Sequence, residues 1–196
     1  MSYMLPPLPA GFRTPALAFA AIALAAITAA ALPAEVVEAT SAGFSLRGTV
    51  TIQAPPADVY RKLVTPSEWW SSSHTFSGDA ANLAMEARPG GCFCEKLPNG
   101  GGVHHMEVVY VNPAKTLVLH GALGPLQSIA AVGSMTFDLT PEGQGTKLAF
   151  KYIVAGYQPG GMVSWANPVD GVLAEQVGRL KSLLETGAPA PRKAEK

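Results

Sequence analysis

Charge is scarce in this chain: Asp, Glu, Lys and Arg make up 14% of 196 residues, and 14 basic groups balance 14 acidic ones. No net positive field exists to hold nucleic acid or an anionic membrane surface, so neither is expected as a partner. Cysteine is scarcer still. The two present lie as Cys92-Phe93-Cys94, which is neither a disulfide framework nor the C-x-x-C spacing of zinc modules and redox motifs. Glycines 90–91 and 100–102 stand between strand-like segments and not at a strand-to-helix junction, which excludes a phosphate cradle. No internal repeat is visible. No Ser–His–Asp arrangement is recognisable from spacing, because such triads assemble only in three dimensions.

What the chain has in excess is apolar residues, 48% of the total. Part of that excess is one uncharged run, Pro15 to Ala34, which follows Arg13 and ends in small residues and Pro33. This is the layout of a secretory signal peptide, so residues 1–34 are assigned to export, with cleavage after Ala31, Ala34 or Ala39 and a mature start between residues 32 and 40. A retained membrane anchor is the alternative, since the run reaches the ~20 residues that span a bilayer, although its alanine richness makes it a poor span. The expected location is periplasmic or secreted, with membrane contact only through the signal peptide before cleavage.

Residues 35–187 then read as one domain and 188–196 as a frayed tail. Phe44, Leu46, Val50 and Ile52 alternate with polar residues and predict a strand over 43–53 with one wet face. Two short helices follow, one from Pro55-Pro56 carrying Val59, Tyr60 and Leu63, the other from Thr65-Pro66 carrying Trp69 and Trp70. Further strands are predicted at 83–88, 91–97, 103–112, 116–121, 132–140 and 146–155, separated by Gly- and Asn-containing turns. In the last two, Met135, Phe137 and Leu139 match Leu148, Phe150, Tyr152 and Val154 in parity. A long closing helix is predicted to start at Asn167-Pro168, with Asn167 as cap, and to stop at Gly187. The fold class is α+β: a curved antiparallel sheet of about seven strands wrapped round a long C-terminal helix, with two short helices after the first strand.

That order of elements, together with Ile52-Gln53-Ala54-Pro55-Pro56-Ala57-Asp58-Val59-Tyr60, Trp69, Arg88-Pro89-Gly90-Gly91, Val111-Asn112-Pro113 and Gly145-Thr146-Lys147-Leu148, resembles the SRPBCC (START-related, helix-grip) superfamily. Within it, the bacterial branch similar to the heat-shock ATPase activator and the polyketide cyclase/dehydrase proteins is the nearest in pattern. The resemblance covers about residues 43–187. It implies a cavity between the concave face of the sheet and the closing helix. Members bind lipids or hormones, cyclise polyketides or activate chaperones, so the fold alone does not select a function.

Which polar side chains reach such a cavity turns on one hairpin. An even loop at Asn99-Gly100 sets Cys94 opposite His105 and Cys92 opposite Glu107, all on one face; an odd loop brings in His104 and Met106 instead. Three readings of Cys92, Cys94, His105 and Glu107 stay open. They form a packed and mutually satisfied set, or an acid–base pair of His105 and Glu107 with Cys92 and Cys94 contacting the ligand, or ligands to a soft metal. A metal-free protein without cofactor is expected. A Cys92–Cys94 disulfide is a further possibility, with Cα atoms ~6.6 Å apart along an extended strand. Trp69, Trp70 and His74 form a second group at the expected cavity mouth. Phe150, Tyr152, Trp165, Val172 and Val177 are expected to line the cavity, with Leu148 and Leu180 beside them. The function expected is an exported binding protein for a small hydrophobic ligand, a lipid, sterol-like or aromatic compound. The alternative is a cyclase, hydrolase or lyase acting on a polyketide-like or aromatic substrate through His105 and Glu107.

Overall fold

A computed structural model describes Met1 and residues 34–191. Residues 2–33, nearly the whole of the expected export segment 1–34, and residues 192–196 lie outside the described residues. The chain runs β1 (Ala34–Thr40), β2 (Gly43–Ile52), α1 (Pro56–Leu63), β3 (Leu83–Met85), β4 (Gly91–Lys96), β5 (Gly102–Asn112), β6 (Thr116–Gly121), β7 (Ala130–Glu142), β8 (Gly145–Tyr157) and α2 (Val163–Thr186). Short 3-10 turns at Pro66–Glu68 and Ser72–His74 carry the chain from α1 toward β3. All strands pair antiparallel in one open sheet of order β1-β2-β8-β7-β6-β5-β4-β3. This is the helix-grip arrangement.

Alternation builds the sheet. Leu46, Val50 and Ile52 of β2, Met135, Phe137 and Leu139 of β7, and Leu148, Phe150 and Tyr152 of β8 are buried on the concave face. The register confirms the parity, with Met135 opposite Tyr152, Phe137 opposite Phe150 and Leu139 opposite Leu148. Across that face lies α2, which buries Ala166, Leu173, Gln176, Val177 and Leu180. Its 24 residues reach about 36 Å at the usual helical rise. Among the described residues no helix is long and apolar enough to cross a membrane.

Two expectations need correction. The sheet has eight strands where about seven were expected, because Ala34–Thr40 pairs with β2 as an edge strand. Its Val36 and Ala39 pack on the core, and Glu35 forms an ion pair with Arg47 at 3.0 Å. The helix α2 starts at Val163, not at an Asn167 cap, and contains Pro168. Met162 and Ala166 are buried and pull this turn against the core, while the Met162 N–H docks on the Ser41 carbonyl at 3.2 Å. A proline at this depth forfeits one helical hydrogen bond, and the apolar anchors outweigh it. The stop at Gly187 stands, with φ 81° and its N–H on the Leu183 carbonyl.

Bulges curve the sheet. In β5 one interrupts the pairing with β4 at Phe93/Cys94 and another the pairing with β6 at Val108/Tyr110. The first bulge lies against Gly121, which has φ 150°. A Cβ there would meet the His105 carbonyl oxygen at 2.5 Å and the Met106 Cα at 2.8 Å. Gly121→Ala is therefore expected to destabilise the fold by about 1–3 kcal/mol, read as a lower midpoint in urea unfolding. A midpoint equal to the parent's would mean that the bulge does not constrain this position.

Candidate functional site

The bulge sorts the side chains of the β4–β5 hairpin. The hairpin loop closes with the Leu97 N–H on Gly101 O at 2.9 Å, around Asn99 and Gly100, both at positive φ. This odd loop sets Cys94 opposite His104; beyond the bulge, Phe93 pairs with Met106 and Cys92 with Glu107. Both registers weighed from the sequence thus occur, one on each side of the bulge. The expected pairing of Cys94 with His105 is corrected: His105 is the extra residue and turns inward beside Met106. Glu107 turns outward, exposed, between Cys92 and His120. His105 and Glu107 therefore lie on opposite faces.

The inward partner of His105 is Glu95, which shares the parity of Phe93 on β4. Its carboxylate Oε2 lies 3.0 Å from His105 Nε2, with side-chain exposures of 0% for Glu95 and 5% for His105. The same carboxylate accepts the backbone N–H of Phe76 at 3.1 Å and that of Ser77. Burial pushes the Glu95 carboxyl up, but hydrogen bonds from Ser77, Phe76 and His105 together bring it below its ordinary value. Burial also pushes His105 down, against the pull of Glu95. At neutral pH the pair is thus a carboxylate and a neutral imidazole. An ionised carboxylate only accepts, so Nε2 carries the proton and Nδ1 bears a lone pair. That Nδ1 is buried without a partner. Phe93 and Phe76 flank the ring, with centroids 5.2 Å and 6.0 Å away.

Beside this pair the core holds a void of about 20 Å³, lined without polar surface by Trp69, Trp70, Met85, Phe93, Met106 and Met135 among others. It has room for about one water. Phe93 belongs to both features, lining the void and packing on His105. Trp69 and Trp70 line the void beside Leu63 and Pro66, and the segment they begin, Trp69–Ser77, is termed the roof. Trp69 and Trp70 pack with ring centroids 5.4 Å apart and planes tilted by 56°, and their ring N–H groups donate to the Lys62 and His74 carbonyls at 2.7 Å and 3.0 Å. Three polar ties fasten the roof to α2: Arg179 Nε donates to Trp69 O at 2.8 Å, the Ser71 N–H donates to Gln176 Oε1 at 2.7 Å, and His74 Nε2 lies 3.3 Å from Glu175 Oε2.

Of the residues singled out from sequence, Trp69 and Trp70 line the void and His74 lies in its roof. Phe150, Tyr152 and Val177 are packed in the core, and Val172 and Trp165 are half-buried on α2; none of the five lines the void. The Tyr152 hydroxyl donates to Gly121 O at 3.3 Å, and burial pushes its pKa up to about 12. Cys92 and Cys94, expected among the ligand-binding residues, do not line the void: they alternate with the inward Phe93 and Glu95, face outward and are joined in a disulfide, with Cα atoms 5.4 Å apart. Glu95 was missed, although its place two residues beyond Phe93 put it in the same parity.

Residues 43–185 match the family described as polyketide cyclase / dehydrase and lipid transport. No curated protein matches the chain. Among solved structures, the chain is similar to EF2215, a conserved protein of unknown function from Enterococcus faecalis, with 16% identity, 83% of each chain covered and a TM-score of 0.60. It is also similar to CalU16 from Micromonospora echinospora, with 15% identity, 82% of this chain and 88% of that one covered, and a TM-score of 0.54. The Aha1 dimer from Colwellia psychrerythraea shares 19% identity over 73% of this chain and 97% of that one, with a TM-score of 0.51. At these identities the neighbours speak for the fold.

The buried pair makes stability depend on pH. Both groups titrate below their ordinary values of 6.5 and 4.5 in the folded protein, so on acidification the unfolded chain takes up protons first and stability falls with pH. The His105 contribution declines below about pH 6.5 and the Glu95 contribution below about pH 4.5. Glu95→Gln leaves two backbone N–H groups imperfectly matched and is expected to cost about 1–3 kcal/mol at pH 7. Urea unfolding from about pH 8 down to about pH 2 checks both statements. The gap between variant and parent should narrow only below about pH 4.5, and a gap that stays constant to the acid end would contradict the ionised state of Glu95.

Proposed function

The chain belongs to the polyketide cyclase / dehydrase and lipid transport family, and from that premise we propose that it binds a small hydrophobic molecule between the concave face of the sheet and the Trp69–Ser77 roof. The observation that carries this reading is the wholly apolar void beneath two tryptophans. Ligand pockets of this kind usually measure about 300–1,000 Å³, so binding requires the roof to lift. The architecture supports such a motion. The roof carries one short 3-10 turn, Ser72–His74, and is fastened to α2 by three polar ties, and Met85, Met106 and Met135 line the void with unbranched side chains that re-pack readily.

A second reading, cyclase-like catalysis, is favoured by one specific observation: the neutral imidazole of His105, oriented by Glu95 through Nε2, with an unused lone pair on Nδ1. This is the arrangement of a general base. Once the roof lifts and Phe93 swings aside, Nδ1 would accept a proton from an acidic C–H or O–H of the ligand. His105→Gln would then abolish turnover while leaving binding within a few-fold of the parent.

Export is part of the proposal. The Cys92–Cys94 disulfide suits an oxidising compartment. Cleavage after Ala31 leaves β1 whole, whereas cleavage after Ala39 would strip the edge strand from the sheet. Amino-terminal sequencing of exported protein should therefore read from residue 32. An intact Met1 on membrane-bound material would contradict export.

Binding is tested by tryptophan fluorescence. Oleate and a planar anthraquinone, added separately to the native chain, should between them give at least one saturable change in Trp69/Trp70 emission at one equivalent. The Glu175→Gln variant, with a roof tie weakened, should bind faster. No saturable change with either probe would contradict the ligand-binding reading.

A further inference from the structure

The outward side of the β4–β5 bulge carries a second group of reactive side chains, which the ligand-binding reading does not use. Cys92 and Cys94 flank Phe93 on β4, half-buried, with their sulfurs on the solvent side of the sheet. His104 stands opposite Cys94 on β5 and is exposed. One ring nitrogen of His104 and both sulfur atoms lie within 4.8 Å of one another. The neighbouring edge leaves the group open, because β3 is short and its residue opposite Cys94 is the exposed Ala84.

We propose that the reduced Cys92 and Cys94 thiols, together with His104, form a binding site for copper(I) on the outer face of the sheet, which the Cys92–Cys94 disulfide keeps closed. Thiolate and imidazole donors select soft cations. Zinc in a structural site takes four ligands, whereas this group supplies three donors from one open face, a lower coordination number that suits copper(I). The donor set differs from the one weighed from sequence: the bulge sends His105 to the core face and leaves His104 in its place. Glu107, though opposite Cys92, is outside the group.

The chemistry balances with a dithiol reductant. Its two thiols pass two electrons and two protons to the Cys92–Cys94 sulfur–sulfur bond, which breaks, and the reductant leaves as its own disulfide. Copper(I) then displaces the two thiol protons to solvent and takes a ring-nitrogen lone pair of His104. In an oxidising compartment the site stays closed until a dithiol meets it.

The test uses the full chain, reduced with a dithiol, freed of it under argon, and titrated with copper(I) against the chromogenic chelator bicinchoninate. The reduced protein should take one equivalent and the disulfide form none. Bound copper should shield both thiols from iodoacetamide. Cys92→Ser and Cys94→Ser should each abolish tight binding. His104→Ala, an exposed change that leaves the fold intact, should weaken it by about tenfold or more, since even outer-shell changes cost that much at metal sites. His120→Ala, on the same face but outside the group, should match the parent, and circular dichroism checks that each variant is folded. The proposal is overturned if the reduced protein binds no copper(I), if the disulfide form binds equally well, if His104→Ala matches the parent, or if zinc is held more tightly than copper(I).

Discussion

The hydrogen-bond ladder between β4 and β5 changes register by one residue at Phe93/Cys94, and the chemistry on both faces of the sheet depends on that shift. In an unbroken strand His104 and Met106 would share one face and His105 the other. With the extra residue, His105 and Met106 both face the core. Met106 goes to the apolar void and His105 to Glu95. His104 and Glu107 are left outside with the two cysteines. The shift has its own supports: an odd hairpin loop closed by Asn99 and Gly100 at positive φ, and Gly121 lying where a side chain would strike the bulged backbone.

An ionised carboxylate without solvent contact is costly unless it is fully hydrogen-bonded. Glu95 meets that demand with two backbone N–H groups from the roof segment and the ring N–H of His105. The carboxylate therefore ties the Phe76–Ser77 backbone to β5, while Arg179, Gln176 and Glu175 tie the other end of the roof to α2. The apolar void lies under a cover held by polar contacts at both ends. Each tie contributes modestly, as hydrogen bonds do, and under the proposed function a molecule burying apolar surface against Trp69, Trp70 and the methionines would offset their loss.

Most of the fold was legible because period-two alternation is a strong signal. β2, β7 and β8 fall where Phe44 to Ile52, Met135 to Leu139 and Leu148 to Val154 place them. β1 was not legible, since Ala-Glu-Val-Val-Glu-Ala-Thr follows an apolar run that resembles an export signal, and its own alternation breaks at a bulge between Val36 and Glu38. The start of α2 was misplaced because Asn167-Pro168 carries the chemistry of a cap, while the burial of Met162 and Ala166 shows only in three dimensions. At the site, the two tryptophans were found as residues of the second short helix expected at the cavity mouth. His105 was found with the wrong partner. A bulge leaves no residue signature at His104-His105-Met106, so the parity that predicts Glu107 fails by one residue, and Glu95, on the paired strand β4, takes its place.

The central claim is that the bulge delivers His105 to the core as a neutral imidazole, protonated on Nε2 and held by an ionised Glu95. Long-range proton–nitrogen correlation spectra of the ¹⁵N-labelled ring test it most directly. The account predicts the Nε2–H tautomer at pH 7, with His105 resisting protonation below the ordinary imidazole value of 6.5. A Nδ1–H tautomer, or titration of His105 at that ordinary value, would contradict it.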